Sequence, residues 1–218
     1  MRITSIDRPP RKRRYEVRID HVLVLPLSPE VLAQANIHTG EELSDAQLHS
    51  LERTEARHSA LATAMRSLAY GPHSEREIRT ILTRKRVPAD AVTETIARLS
   101  ELRLLNDADF AKSYVEQRNR LSPRGRRLLR AELTTRGIDR KAADEHLESI
   151  DETDAAARAA SRKARSLATL DYPAFQRRLG DYLLRRGFSH ETARNALRNA
   201  WSDLHPDHFP AEDSLDAP

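Results

Sequence analysis

A helical segment that recurs three times at intervals of about fifty residues constrains the fold of this chain more than any other feature. The three copies occupy residues 78–87, 129–138 and 179–188. One apolar position is filled in turn by Leu82, Leu133 and Leu183, and a loop position five residues later by Val87, Ile138 and Phe188. A period of this length predicts stacked helical units, and therefore an elongated, curved, solenoid-like body, instead of one globular core.

The composition favours a mainly α fold. Ala, Leu, Arg and Glu are abundant, and these residues favour helices. Aromatic residues make up 5% of the 218 residues, and the chain contains only 6 Gly. These low numbers argue against a large β-sandwich and against a nucleotide-binding α/β enzyme.

Cysteine usage and hydropathy bear on the compartment. The chain has no cysteine, which excludes disulfides and thiolate chemistry and fits a reducing cytosol. No apolar run approaches the ~20 residues that span a bilayer, and residues 1–5 lack the apolar core of a signal peptide. We therefore expect a cytoplasmic protein that does not enter a membrane.

Residues 1–55 differ from the rest and predict a small β-strand and hairpin extension with a short helix. The strand candidates are residues 3–6, 15–19 and 22–25. Asp20-His21 is a two-residue turn candidate, although it lacks the Gly of the strongest hairpin turns. Ser28-Pro29 has the features of a helix N-cap and first position, and Ser44–Gln47 has those of a capping box.

From residue 56 onward the pattern predicts three three-helix repeats, 56–105, 106–150 and 151–202, and then an acidic disordered tail, 203–218. In the second repeat the predicted helices are 107–119, 123–136 and 139–149. Each middle helix is expected to bury one i, i+4 apolar pair: Ile78 and Leu82, Leu129 and Leu133, Leu179 and Leu183. The first helix of the first repeat is expected to bury Leu61, Met65 and Leu68.

Positive charge is concentrated in the second and third repeats. Arg accounts for 32 of the 37 basic residues. Residues 112–140 contain nine basic and three acidic residues, and residues 158–198 contain ten basic and three acidic residues. The planar guanidinium suits bidentate contacts with phosphates or carboxylates. A GC-rich genome would also enrich Arg, so composition leaves both explanations open.

The predicted helix start at residue 123 is the strongest binding-site candidate. It places four arginines at or just beyond a helix N-terminus: Arg124, Arg126, Arg127 and Arg130. Backbone N–H groups at such an end already attract anions, and three like charges within four residues repel one another unless a partner neutralises them. A solvated face paired with Glu132 and Glu116 is the alternative.

Further arginines extend the candidate binding surface. They are Arg136 in the second repeat and Arg177, Arg178, Arg185, Arg186, Arg194 and Arg198 in the third. Arg194 and Arg198 form an i, i+4 like-charged pair, which mildly destabilises a helix and suggests an anionic partner. Arg11, Lys12, Arg13 and Arg14 form a candidate DNA-binding arm, with a merely solvated loop as the alternative.

Catalytic and metal-binding patterns are poor. The nine histidines are scattered without an HExxH pair, and no Walker-type loop is present. His205–His208 is a weak chelation candidate, and the acids between residues 144 and 154 are expected to balance neighbouring positive charge. We expect neither enzymatic activity nor a metal or other cofactor. Few aromatics are available for base stacking, so sequence-specific single-strand recognition is not expected.

Five motifs follow one another in order within residues 61–201. They are Ser74-Glu75-Arg76-Glu77-Ile78-Arg79, Leu105-Asn106-Asp107, Asp109-Phe110-Ala111, Pro123-Arg124-Gly125-Arg126-Arg127-Leu128 with Arg136-Gly137-Ile138, and Leu183-Leu184-Arg185-Arg186-Gly187-Phe188-Ser189. In this order the motifs resemble the RecX family, bacterial regulators of the RecA recombinase. Arg86 departs from the family pattern, which mostly has Gly there. A left-handed Arg costs about 1 kcal/mol relative to Gly, so we expect that loop to take another shape.

The resemblance implies a binding function. A RecX-like protein would act as a monomer, lie in the groove of the RecA filament on single-stranded DNA and bridge successive subunits. It would thereby inhibit ATP hydrolysis, strand exchange and co-protease activity, or promote disassembly of the filament. The arginines above would contact RecA or the phosphates of single-stranded or double-stranded DNA. A non-specific DNA-binding helical protein, a helix-turn-helix regulator and a scaffold that binds only protein are the alternatives.

Overall fold

The computed structural model describes residues 1–206, which form two compact units, the first Met1–Asn106 and the second starting at Asp107. The strands are β1 (Ile3–Asp7), β2 (Tyr15–Ile19) and β3 (Leu23–Leu27). The helices are α1 (Pro29–Ala35), α2 (Asp45–Leu68), α3 (Glu75–Arg84), α4 (Ala89–Glu101), α5 (Asp107–Leu121), α6 (Arg126–Thr135), α7 (Arg140–Leu147), α8 (Glu152–Ala164), α9 (Tyr172–Arg185) and α10 (His190–Leu204). A 3₁₀ turn, Arg165–Leu167, follows α8. The mainly α fold with three three-helix domains and an N-terminal sheet is confirmed.

The N-terminal sheet is antiparallel, with the strand order β1-β2-β3. Asp20, His21 and Val22 connect β2 to β3, and the first two have φ angles of 49° and 59°. Positive φ at both central residues is typical of a type I′ turn, whose twist matches that of the flanking strands. The predicted hairpin is present despite the missing Gly, but its connection has three residues instead of two, because Ile19 pairs with Leu23.

Side-chain caps set the starts of the first helices. Ser28 caps α1, with Pro29 at its first position, and Ser44 and Gln47 form the predicted capping box of α2. Helix α2 runs for 24 residues and continues without a break from the sheet side of the unit into the first three-helix domain. Its buried Glu55 accepts hydrogen bonds from the backbone N–H and the hydroxyl of Ser28, at 2.7 and 2.8 Å. This carboxylate therefore links α1 to α2.

The repeated sequence segment corresponds to one recurring backbone motif. After each middle helix, an N–H donates back to a carbonyl five residues earlier: Val87 to Leu82, Ile138 to Leu133 and Phe188 to Leu183. This bond and a left-handed residue just before its donor define the Schellman termination of a helix. Gly137 and Gly187 have φ angles of 93° and 83°. The expectation of a different loop at Arg86 is wrong, because Arg86 takes the same left-handed conformation with φ of 60°.

Each three-helix domain has its own apolar cluster in the described chain. The predicted i, i+4 pairs of the middle helices are all 0% exposed. The prediction for α2 is partly wrong, because Met65 is 43% exposed while Ala60 and Ala64 are fully buried. Small residues let α2 approach its neighbours closely, so its buried stripe lies one position away from the larger side chains. Leu61 and Leu68 pack at the edge of this cluster.

The C-terminal boundary also differs from the prediction. Helix α10 extends through Leu204, so the segment predicted as a disordered tail, 203–218, begins within a helix. From residue 207 onward this segment lies outside the described residues.

Candidate nucleic-acid and protein interface

Helix α6 begins at Arg126, three residues later than predicted, with Gly125 as its N-cap. The N–H of Gly125 donates to the carbonyl of Arg186 at 2.9 Å, and Gly125 itself has an extended conformation. The N–H of Arg126 donates to Glu152 Oε1 at 3.0 Å. The electropositive end of α6 therefore already holds a carboxylate of the same chain.

Arg124 precedes α6 and lies in a cluster of charges around Glu132. The Glu132 carboxylate pairs with Arg124 and accepts a 2.8 Å hydrogen bond from the Tyr114 hydroxyl. Arg118 donates to that hydroxyl at 3.0 Å and lies 3.8 Å from Glu132. Desolvation lowers the pKa of the Arg124 guanidinium, and the positive charge of Arg118 lowers it further. Arg124 is therefore a partly buried structural group, and Glu132, not Glu116, is its counter-charge.

Arg126 and Arg127 contact carbonyls near neighbouring helix ends, and Arg130 pairs with a carboxylate of α7. Arg126 donates to the Ile150 carbonyl at 2.8 Å, and Arg127 donates to the Leu184 carbonyl at the end of α9, also at 2.8 Å. Arg130 donates to Asp144 Oδ1 at 2.5 Å. Guanidinium groups at helix C-termini satisfy carbonyls that lack an intrahelical partner. Arg127 therefore joins the second domain to the third, whereas Arg130 joins α6 to α7 within the second domain.

Arg136 and Arg186 also have partners within the chain. The Arg136 guanidinium lies 4.7 Å from the centre of the Tyr114 ring. Arg186 donates to the Ser122 hydroxyl at 3.0 Å and to the Pro123 carbonyl at 2.9 Å. Its guanidinium also lies 4.8 Å from the ring centre of Tyr182. Both side chains are half-buried, and each contributes to packing as well as to charge.

Two glycines bring the second and third domains into backbone contact. A Cβ at Gly125 would lie 2.1 Å from the carbonyl oxygen of Gly187, and one at Gly187 would lie 2.5 Å from the backbone nitrogen of Leu128. The sequence did not single out this contact, although a Gly at an N-cap without a capping side chain is the pattern that points to it. Sequence reasoning also missed Arg158, which donates to the backbone and side-chain oxygens of Asn119 at 2.8 and 2.7 Å.

Five of the predicted arginines form a different group, exposed on the third domain. They are Arg177, Arg178 and Arg185 on α9 and Arg194 and Arg198 on α10. Within residues 1–206 none of the five makes a hydrogen bond, an ion pair or a ring contact. We call these five residues the arginine face. No partner within the described residues therefore neutralises their charge.

The N-terminal basic run, residues 11–14, also contains both paired and unpaired side chains. Lys12 pairs with Glu16 at 2.6 Å, and Arg14 donates to the Ser59 hydroxyl at 2.6 Å and lies 3.4 Å from Glu55. Arg11 and Arg13 are exposed and have no such contact in the described part of the chain. Two of the four residues of the candidate arm, Lys12 and Arg14, therefore already have partners within the first unit.

Glu132→Gln should lower the free energy of unfolding by roughly 2 kcal/mol, because it leaves the guanidinium of partly buried Arg124 without its counter-charge. Chemical denaturation at pH 7 measures the change. Glu116→Gln is the matched control, since Glu116 is exposed on α5 and pairs with none of the described residues. Equal stability of the two variants would show that the Glu132 cluster contributes nothing.

Metal and membrane features are absent from the described chain. Among residues 1–206 no three His, Asp or Glu side chains are placed to hold a metal ion together, and no helix is long and apolar enough to cross a membrane. The chelation candidate at residues 205–208 lies partly outside the described residues.

Solved structures with the same fold include two RecX proteins. A crystal structure of regulatory protein RecX aligns with a TM-score of 0.63 at 22% identity, covering 88% of this chain and 97% of that chain. The crystal structure of RecX from Lactobacillus salivarius aligns with a TM-score of 0.59 at 23% identity, covering 67% and 97%. At these identities the similarity shows a shared fold.

Sequence relatives and family models agree with that fold. Regulatory protein RecX of Listeria monocytogenes serotype 4a (strain HCC23) is 26% identical over 212 residues, covering 94% of this chain and 77% of that protein. Its counterpart in Lactobacillus gasseri is 28% identical over 198 residues, covering 89% and 73%. The models of the first, second and third RecX three-helix domains match residues 60–99, 106–147 and 150–197. Because these models match in order over more than half of the residues, the chain belongs to the RecX family of regulatory proteins.

Proposed function

We propose that this chain binds the RecA filament on single-stranded DNA and lowers its ATP hydrolysis, strand exchange and co-protease activity. It would thereby regulate DNA recombination, DNA repair and the SOS response. The ordered match of all three RecX domains is the observation that carries the proposal. The mechanism needs no reaction by this chain, because a ligand that binds one filament state more tightly than another shifts the population of states.

The arginine face supplies the binding chemistry in this proposal. Arg177, Arg178, Arg185, Arg194 and Arg198 are exposed and free of partners within residues 1–206. DNA phosphates and acidic side chains of RecA are anions that guanidinium groups bind well. Arg124, Arg126, Arg127, Arg130, Arg136 and Arg186 have intramolecular partners instead. We therefore place the contacts with the filament on the arginine face and assign the second group to contacts within the second domain and between it and the third.

Non-specific DNA binding is the second candidate function, and the same arginine face favours it. A protein that contacts only phosphates binds all sequences alike, with an affinity that falls steeply with salt. A helix-turn-helix regulator would prefer one sequence, because base edges in the major groove distinguish base pairs.

Co-sedimentation separates the two candidate functions. RecA filaments are assembled on poly(dT) with a slowly hydrolysed ATP analogue, and the same poly(dT) without RecA serves as the control. We expect this chain to sediment with the filament at concentrations where it does not sediment with the bare polymer. Equal binding to both would support the non-specific DNA-binding protein and contradict a filament-directed regulator.

A further inference from the structure

A groove of about 160 Å³ lies between α9 and α10 of the third domain. Leu184 and Leu197 provide an apolar lining. Gly180 keeps the groove open, since it projects no side chain and a Cβ built on it would only just touch Leu197, at 3.8 Å. Arg194 and Arg198 line the same groove. Apolar surface therefore lies directly beside two cations.

The combination of surfaces determines which ligands fit this groove. Arg194 and Arg198 are exposed and make no hydrogen bond or ion pair within residues 1–206. A phosphate backbone would satisfy these cations but leave the apolar lining in contact with water. A peptide that carries both carboxylates and apolar side chains would satisfy the cations and cover the lining.

The chain itself contains a segment of this composition. Residues 207–218 include four acidic residues, Asp207, Glu212, Asp213 and Asp216, and no Lys or Arg. The same segment includes the apolar residues Phe209 and Leu215. Its charge is opposite to that of the groove, and its apolar side chains match the groove lining.

The distance along the chain permits the contact. The segment follows α10, which ends at Leu204 and carries Arg198 six residues and Arg194 ten residues before that end. At 1.5 Å per helical residue these positions lie roughly 9 and 15 Å from the helix end. Twelve extended residues span up to roughly 40 Å, which is ample for a return along α10.

We propose that residues 207–218 bind the groove between α9 and α10 and compete there with the anionic partners of Arg194 and Arg198. The competition part rests on the proposed function, whereas the binding of the segment does not. In the absence of DNA or RecA the segment occupies the groove, and an anionic polymer at sufficient concentration displaces it. The C-terminal segment therefore sets a threshold for binding by the third domain.

A spin label on the segment tests this contact in the full-length protein. Because the chain has no cysteine, Ser214→Cys provides a unique attachment site for a nitroxide. We expect the amide NMR signals of residues 190–198 to lose most of their intensity, and the signals of α5 to be unaffected. Salt of about 0.5 M, where screening acts within a few ångströms, should restore the intensity.

Two double variants determine whether binding in the groove causes the loss of signal at residues 190–198. Arg194→Gln/Arg198→Gln should restore the signals of α10, whereas Arg98→Gln/Arg140→Gln, with the same change in net charge at ion-paired sites, should leave them broadened. Broadening that has no maximum at residues 190–198, or that persists in the first variant, would overturn the proposal.

Adding a dT oligonucleotide tests the competition part. Recovery of the signals of residues 190–198 as DNA binds would support competition. Undiminished broadening with DNA bound would overturn competition while leaving the binding of the segment in place. Because the spin-label experiment needs no RecA, failure of the proposed regulatory function would be seen separately, in the co-sedimentation experiment.

Discussion

Gly125→Ala is expected to lower the free energy of unfolding of the second and third domains by about 3 kcal/mol, the upper range for overpacking a dense contact. The added methyl group would lie 2.1 Å from the Gly187 carbonyl oxygen and 2.4 Å from the Phe188 nitrogen. Both neighbours are backbone atoms, so no side-chain rotation relieves the clash. The backbones must separate, which also breaks the hydrogen bond from Gly125 to the Arg186 carbonyl. Denaturant titration followed by the fluorescence of Trp201 measures the loss.

Gly180→Ala is the matched control for this prediction. A Cβ at Gly180 would lie 3.8 Å from Leu197 Cδ1, an ordinary van der Waals distance. Because Gly180 lies within α9, Ala should increase stability by up to about 1 kcal/mol through helix propensity. If Gly125→Ala were as stable as the natural chain, the close backbone approach between the two domains would be wrong.

Replacing Arg177, Arg178, Arg194 and Arg198 together with Gln is expected to weaken binding to single-stranded DNA at least roughly tenfold at about 0.1 M salt. The reason is that all four are exposed and lack partners within the described residues. If each contacts one phosphate, the slope of log K against log salt should become shallower by about 3. Fluorescence anisotropy of a labelled dT oligonucleotide at several salt concentrations gives both quantities.

A variant with the same net charge controls for general electrostatics. Its four substitutions, Arg53→Gln, Arg79→Gln, Arg98→Gln and Arg140→Gln, fall on arginines that already pair with carboxylates. We expect a clearly smaller loss of affinity in this variant. Equal losses in the two variants would show that net charge, and not the arginine face, determines binding.

The sequence predicts the helical fold well because the contacts that begin and end its helices join residues that are close in the sequence. The capping boxes at Ser44 and Ser74 join residues three positions apart. The Schellman bond joins residues five positions apart, as from Phe188 to Leu183, and recurs with the sequence repeat. The prediction fails at Met65 because the buried face of α2 is formed by the small residues Ala60 and Ala64, which the spacing of large apolar residues does not reveal.

The sequence does not predict which arginines have intramolecular partners, because those partners are distant in the chain. Arg127 donates to the carbonyl of Leu184, which lies 57 residues later in the sequence. Arg186 donates to the hydroxyl of Ser122, which lies 64 residues earlier. Charge density alone does not distinguish such arginines from exposed ones. The Arg124 segment, the strongest candidate by sequence, is held within the protein, whereas Arg194 and Arg198 are exposed.

RecA's ATP hydrolysis on single-stranded DNA, titrated with this chain, tests the proposed function most directly. With the chain at well below one molecule per RecA subunit, we predict a clear fall in the hydrolysis rate, because one bound molecule would affect several subunits of a filament. The variant with four Gln on the arginine face should require more protein for the same effect. An unchanged rate up to equimolar amounts, with this chain bound to the DNA, would contradict a RecA-directed regulator.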